Sequence, residues 1–175
     1  MDRFQDRVLR AAKLDADLYD ELEGDREAMG QAVVAVILSS VAAGIGTITR
    51  GGFGGILFGT IFSLFGWYVW AYITYFVGTK YPSGSKTTPD LGDLLRTIGF
   101  SSSPGLIRLI GIIPGLTGLV FFIASIWMLV AMVVAVRQTL DYDSASRALG
   151  VCLPGWIVQL IILFLLFSIF GPKTT

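Results

Sequence analysis

Residues 94–149 constrain the fold more than any other stretch: two apolar runs meet at Pro114-Gly115, with Arg96 and Arg137 at their outer ends. Proline has no amide donor and its ring clashes with the preceding helical turn, so one straight helix is not expected to pass through Ile113, Pro114 and Gly115. The stretch predicts a helical hairpin broken at Pro114 and Gly115. Its arms are unequal. The second, residues 116–136, is apolar and long enough to cross a bilayer, whereas the first is short, polar for a span and carries Arg108 inside it.

Such a hairpin is at home in a membrane, and the composition places it there: 54% of the 175 residues are apolar, 15% are charged, and the mean hydropathy is +0.71. Only the first 28 residues look water-soluble, with five basic and nine acidic side chains against eight and four in the remainder. The single cysteine, Cys152, excludes an internal disulfide and a multi-cysteine metal cluster, and the lack of histidine removes the commonest ligand for zinc and haem. No metal, cofactor or nucleic-acid partner is expected. Residues 1–27 are charged throughout, which is unlike a secretory signal peptide, so the first span is expected to direct insertion itself.

Along residues 2–23, Phe4, Val8, Ala11, Leu14, Leu18 and Leu22 form one stripe flanked by Arg3, Arg7, Arg10 and Lys13, interrupted at Asp15. This predicts an amphipathic helix over residues 1–28, lying either on the membrane surface or against the protein's own spans. Residues 29–48 and 53–78 are the first two spans, joined by a turn at Thr49-Arg50-Gly51-Gly52. Gly51, Gly55, Gly59 and Ser63 recur every fourth residue, a spacing that lines one helix face with small groups and predicts close helix packing there. The run RGGFGG is not followed by the Lys-Ser/Thr pair of a phosphate-binding loop. Trp67, Tyr68, Trp70, Tyr72 and Tyr75 mark an interface, residues 80–93 have the Pro, Gly, Ser and charge content of a loop, and the last span covers about 148–170, with Gln159 as its strongly polar group.

The expected fold is all-α: a polytopic bundle of five transmembrane helices over residues 29–171, the third of them short and broken, with a tail at 172–175. Five crossings place ten basic residues on the side of the N-terminus and only Arg50 and Lys173 opposite, so the N-terminus is expected in the cytoplasm and the C-terminus outside. A four-span arrangement, with the short arm re-entrant, fits that count less well.

The run Leu95-Arg96-Thr97-Ile98-Gly99-Phe100, then Pro104, an apolar arm, a Pro-Gly break, a long span and a basic link with Ala145 and Ala148 resembles the Yip family of Rab/Ypt-interacting membrane proteins over residues 28–170. The resemblance rests on Arg96, Gly99, Phe100 and Pro104 at the head of the short arm. It implies five spans and a cytoplasmic N-terminus. Eukaryotic members are linked to prenylated Rab GTPases and vesicle traffic. Here Asp20 follows Asp17-Leu18-Tyr19 where the eukaryotic motif has glycine, and the segment ahead of the first span is short, so Rab binding is not expected. The pattern is that of a prokaryotic member in the cell membrane.

Two functions compete. The glycine face and short loops favour a non-enzymatic organiser or accessory subunit that binds membrane lipids, other integral membrane proteins or further copies of itself. The broken hairpin and Arg108 favour a small transporter or channel, although no acidic residue lies within a span and no inverted repeat is visible. An enzyme ranks last: Ser101, Ser102 and Ser103 have no histidine to act as base, and Asp90 and Asp93 belong to a solvated loop. Arg108 lies about 16 Å along its arm from Thr97, near mid-membrane, so it is expected to meet a lipid phosphate, freed backbone carbonyls, the C-terminal carboxylate or a partner.

Overall fold

The computed structural model describes residues 2–80 and 90–170; the side-chain surroundings of residues 2, 50, 51, 79, 159, 160 and 162–170 are not described. All regular structure among the described residues is helical: α1 (Asp2–Ala12), α2 (Ala16–Gly24), α3 (Ala28–Gly46), α4 (Ile48–Lys80), α5 (Leu91–Phe100), a 3₁₀ segment (Ser103–Ile112), α6 (Thr117–Thr139) and α7 (Ala145–Phe170). Three of these, Ala28–Gly46, Gly52–Gly78 and Thr117–Thr139, are long and apolar enough to cross a membrane.

The close contacts give the course of the chain. Ala32 lies against Gly99, Ser39 against Gly105 and Gly46 against Arg108, so α3 and the arm made of α5 and the 3₁₀ segment run side by side in the same direction. Helix α4 returns antiparallel, with Ile56 on Gly44 and the Ser40 hydroxyl 3.4 Å from that of Thr60. Helix α6 also runs down: Phe121 packs at Gly46 and Gly111, Met128 at Gly105, and Thr139 donates to Thr97 at 3.0 Å. Helix α7 rises again beside α4, where Gly155 meets the indole of Trp70 and the Trp70 and Trp156 rings stand edge to face at 6.2 Å.

The breaks have local causes. Gly52 interrupts α4 with a φ of 57° and Gly115 follows Pro114 with a φ of 88°, left-handed conformations in which a Cβ is disfavoured. Asp90 and Asp93 close a capping box at the start of α5, each carboxylate accepting from the other residue's amide at 2.7–2.8 Å. The 3₁₀ segment is long for its kind. Ten residues at about 2.0 Å each advance about 20 Å, so the stretch from Thr97 covers about 29 Å where an α-helix would cover about 24 Å. The tighter winding thus lengthens the arm by about 5 Å over an α-helix of the same residues.

The N-terminal region differs from the expected single amphipathic helix. It is two helices that turn at Leu14, whose φ is 62°, with Asp15 capping α2 by accepting from the Asp17 amide. The residue that interrupts the apolar stripe is therefore the one that starts the second helix. The stripe faces the bundle rather than a lipid surface: Ala11, Leu18 and Leu22 are fully buried with Ala28, Ala32, Phe100 and Ala135, and Phe4 and Val8 pack on that cluster. Trp127 caps the end of α1 by donating to the Ala12 carbonyl at 2.8 Å. Arg7, only 2% exposed, joins Glu21, Asp25 and Gln31 and so ties α1 to α2 and α3.

Candidate functional site

Two groups of polar side chains sit inside this bundle. The first surrounds Arg96. Helix α5 directs it at the end of α2, where it donates to the carbonyls of Leu22 and Glu23 at 2.8 Å each and pairs with Asp93. A buried guanidinium on the last carbonyls of a helix satisfies acceptors that the helix itself leaves open and meets the negative end of its dipole. The neighbouring motif residues also hold the fold together. A Cβ on Gly99 would lie 2.8 Å from the Ala32 Cβ, Phe100 is fully buried with its ring 6.2 Å from that of Phe4, and Pro104 is buried at the start of the 3₁₀ segment.

Glu23 sits beside this arginine without pairing to it through its side chain. Burial, together with the charges of Asp93 and Asp20, pushes its carboxyl up to about 7, and one of its oxygens is buried without a hydrogen-bond partner among the described residues.

The second group surrounds Arg108. A cavity of about 570 Å³ lies between α3, α4, the arm, α6 and α7, and six serines line it: Ser39, Ser40, Ser63, Ser101, Ser102 and Ser125. The remaining wall is apolar and aromatic, with Trp67, Trp70 and Trp156 among its members. Arg108 reaches into this space. Its Nη2 lies 3.3 Å from the Ser125 hydroxyl and its guanidinium carbon 5.3 Å from the centre of the Phe121 ring. Its Nε is buried and meets no partner among the described residues, as is the indole nitrogen of Trp70.

Four of the serines donate to carbonyls of their own helical turn: Ser40 to Ile37, Ser101 to Ile98, Ser102 to Gly99 and Ser125 to Phe121, at 2.6–2.9 Å. Their oxygens keep acceptor capacity toward the cavity. No Asp or Glu is among the described lining residues. The cavity is a mainly apolar recess that holds six serines and one positive charge, with no carboxylate or histidine among its described lining residues. Among the described residues no three His, Cys, Asp or Glu side chains converge as metal ligands.

The regular glycine spacing on α4 points elsewhere. A Cβ added to Gly55 or Gly59 meets nothing within 4 Å among the described residues, so at these two positions α4 has no close helix neighbour there; Ser63 is half-buried at the cavity wall, and the surroundings of Gly51 are not described. Close approaches occur instead at Gly44, Gly46, Gly99 and Gly105, on α3 and the arm, at Gly78 near the end of α4 and at Gly155 on α7. Pro114 and Gly115 form the exposed turn between the 3₁₀ segment and α6. The serines of the cavity were the part of the site least visible in the sequence. Their signal was the recurrence of hydroxyls on otherwise apolar helices at the depth of a single arginine.

Long apolar helices packed around a recess that holds one buried arginine define a helical membrane protein with several candidate spans. A model of the Yip1 domain family matches residues 16–167, and the chain belongs to that family. The match begins after α1 and takes in α2 and the bundle up to residue 167, three residues short of the end of α7. No curated protein and no solved structure matches the chain.

Proposed function

We propose that the protein is a non-enzymatic organiser or accessory subunit in the cell membrane, acting by association with other membrane components. The observation that carries this reading is the outer face of α4. Phe58, Phe62 and Phe65 are each at least half exposed there, and the open Gly55 and Gly59 lie on the same side of the helix, at one edge of that face. A face without large side chains at its glycines suits a second helix approaching backbone to backbone, which no described helix of the chain provides. Five crossings, with the N-terminus in the cytoplasm and the C-terminus outside, fit the alternating course of the bundle and the basic-residue count.

The test is Gly59→Leu against Gly59→Ala in protein purified with mild detergent. Leucine should abolish a stoichiometric membrane partner or self-association, alanine should retain most of it, and the melting temperature should not move because the site is open within the chain. Unchanged association with leucine would refute the reading. The cavity at Arg108 favours a second reading, a small transporter, which predicts solute flux by the purified protein in liposomes.

A further inference from the structure

We infer that the cavity around Arg108 is a seat for the phosphate group of an anionic bilayer phospholipid. This goes beyond association through α4 and rests only on α4 and α6 lying in the bilayer.

The recess supplies what such a group requires. Arg108 offers a fixed positive charge and a buried Nε without a partner among the described residues, and guanidinium is the side chain best matched to the oxygens of a phosphate. Its present partner, the Ser125 hydroxyl at 3.3 Å, is a long and neutral contact that a charged acceptor would replace with gain. With no carboxylate among the described lining residues, the charge is left for a ligand to balance. An arginine this deep in an apolar bundle is costly to leave uncompensated. The serine oxygens can accept from headgroup hydroxyls, and about 570 Å³ lies within the usual range of small-molecule sites, about 300–1,000 Å³.

The entrance selects a lipid over a soluble anion. The lining residues that reach the surface are Phe62, Ser125 and Trp156, and on α6, away from the α4 face, Phe122 and Ile126 beside Ser125 are 65% and 49% exposed. All of these but Trp156, which is on α7, belong to the apolar stretches of α4 and α6, so with those two helices in the bilayer the mouth opens at the depth of the hydrocarbon. A molecule that keeps its acyl chains on this aromatic rim while its phosphate reaches Arg108 meets both surfaces at once. A free phosphate would have to cross the same apolar rim without compensation.

The experiment uses delipidated full-length protein in a non-ionic detergent. Thermal unfolding is followed as phosphatidylglycerol, phosphatidylcholine with the same chains, or inorganic phosphate is added. Phosphatidylglycerol should raise the melting temperature with saturation, and the other two should not. Arg108→Gln and the rim-blocking Ser125→Leu should each need about tenfold more phosphatidylglycerol for the half-maximal shift. Arg147→Gln, which removes the same charge from an exposed position outside the cavity, should behave as wild type. Two variants at different points of the recess guard against misfolding of one. Equal shifts in wild type and both cavity variants would overturn the assignment, as would an equal effect of phosphatidylcholine. Stabilisation by inorganic phosphate alone would show a soluble-anion site instead. Loss of association in Gly59→Leu with lipid binding intact would separate this seat from the α4 face.

Discussion

Replacing Glu23 by glutamine should remove a pH dependence built into the junction of α2, α5 and α6. The Glu23 carboxyl is held at about 7 against an ordinary 4.5, first by burial and then by Asp93 and Asp20, with Asp141 adding a little and the Thr139 hydroxyl opposing. The folded state therefore holds the proton more tightly than the unfolded state. The associated stability is fully present below about 4.5 and is lost as pH rises through about 7. At 1.36 kcal/mol per pKa unit the whole difference is about 3 kcal/mol, and partial exposure of the carboxylate reduces the usable part to about 1–2 kcal/mol. Glutamine preserves the shape and remains neutral at every pH. Melting curves in mild detergent at pH 5.5 and pH 8 should show Glu23→Gln more stable than wild type at pH 8 by a few degrees and close to it at pH 5.5. Asp93 is also raised by burial, so the two carboxyls share the transition and some slope remains in the variant. A variant with the wild-type slope, or one less stable than wild type at pH 8, would refute the assignment of this junction as a strained carboxylate.

Arg96→Ala removes a buried cation from two carbonyls and from Asp93, and should cost about 3–5 kcal/mol, with lysine recovering part; denaturant titration in mixed micelles measures it. Gly46→Ala places a methyl group against the Arg108 carbonyl and should destabilise by about 1–3 kcal/mol, while Gly55→Ala should be neutral within about 0.5 kcal/mol; equal effects at both sites would contradict the packing described for α3 and α4. Lys173→Cys in a Cys152→Ala background should react with an impermeant thiol reagent added outside intact cells; labelling only from the cytoplasmic side would exclude five crossings.

How much of this was legible in the sequence depends on the range of the interaction. Breaks made by one or two residues were readable: Pro114-Gly115 and the turn at Gly52 follow from proline's missing amide and glycine's tolerance of positive φ. Membrane character was readable from composition and from the lengths of the apolar runs. Arg96 stood out as a basic residue at the head of the arm, but its partners Leu22 and Glu23 are 74 and 73 residues away and no local pattern names them. The glycine spacing on α4 showed a face capable of close contact without showing what meets it. In a bilayer both lipid and helix are apolar, so the pattern does not say which face turns inward. The 3₁₀ winding was hidden for a related reason: an apolar run looks the same whether its amides reach back three residues or four. The cavity required four helices and the arm to be placed first, because its serines are scattered from Ser39 to Ser125.

That winding also aims the arginine. A 3₁₀ helix turns about 120° per residue and an α-helix about 100°, so over the five residues from Ser103 to Arg108 the two differ by about 100°. Rewound as an α-helix, the same segment would swing the guanidinium out of the recess and draw the Pro114 turn inward by several ångströms. Pitch, reach and the direction of the charge are thus one mechanical variable. A thinner bilayer favours the shorter, rewound form and a thicker one the extended form. The expected outcome is that phosphatidylglycerol binds more weakly when the protein sits in nanodiscs of short-chain lipid than in those of long-chain lipid; binding independent of chain length would mean that the arm keeps a single pitch.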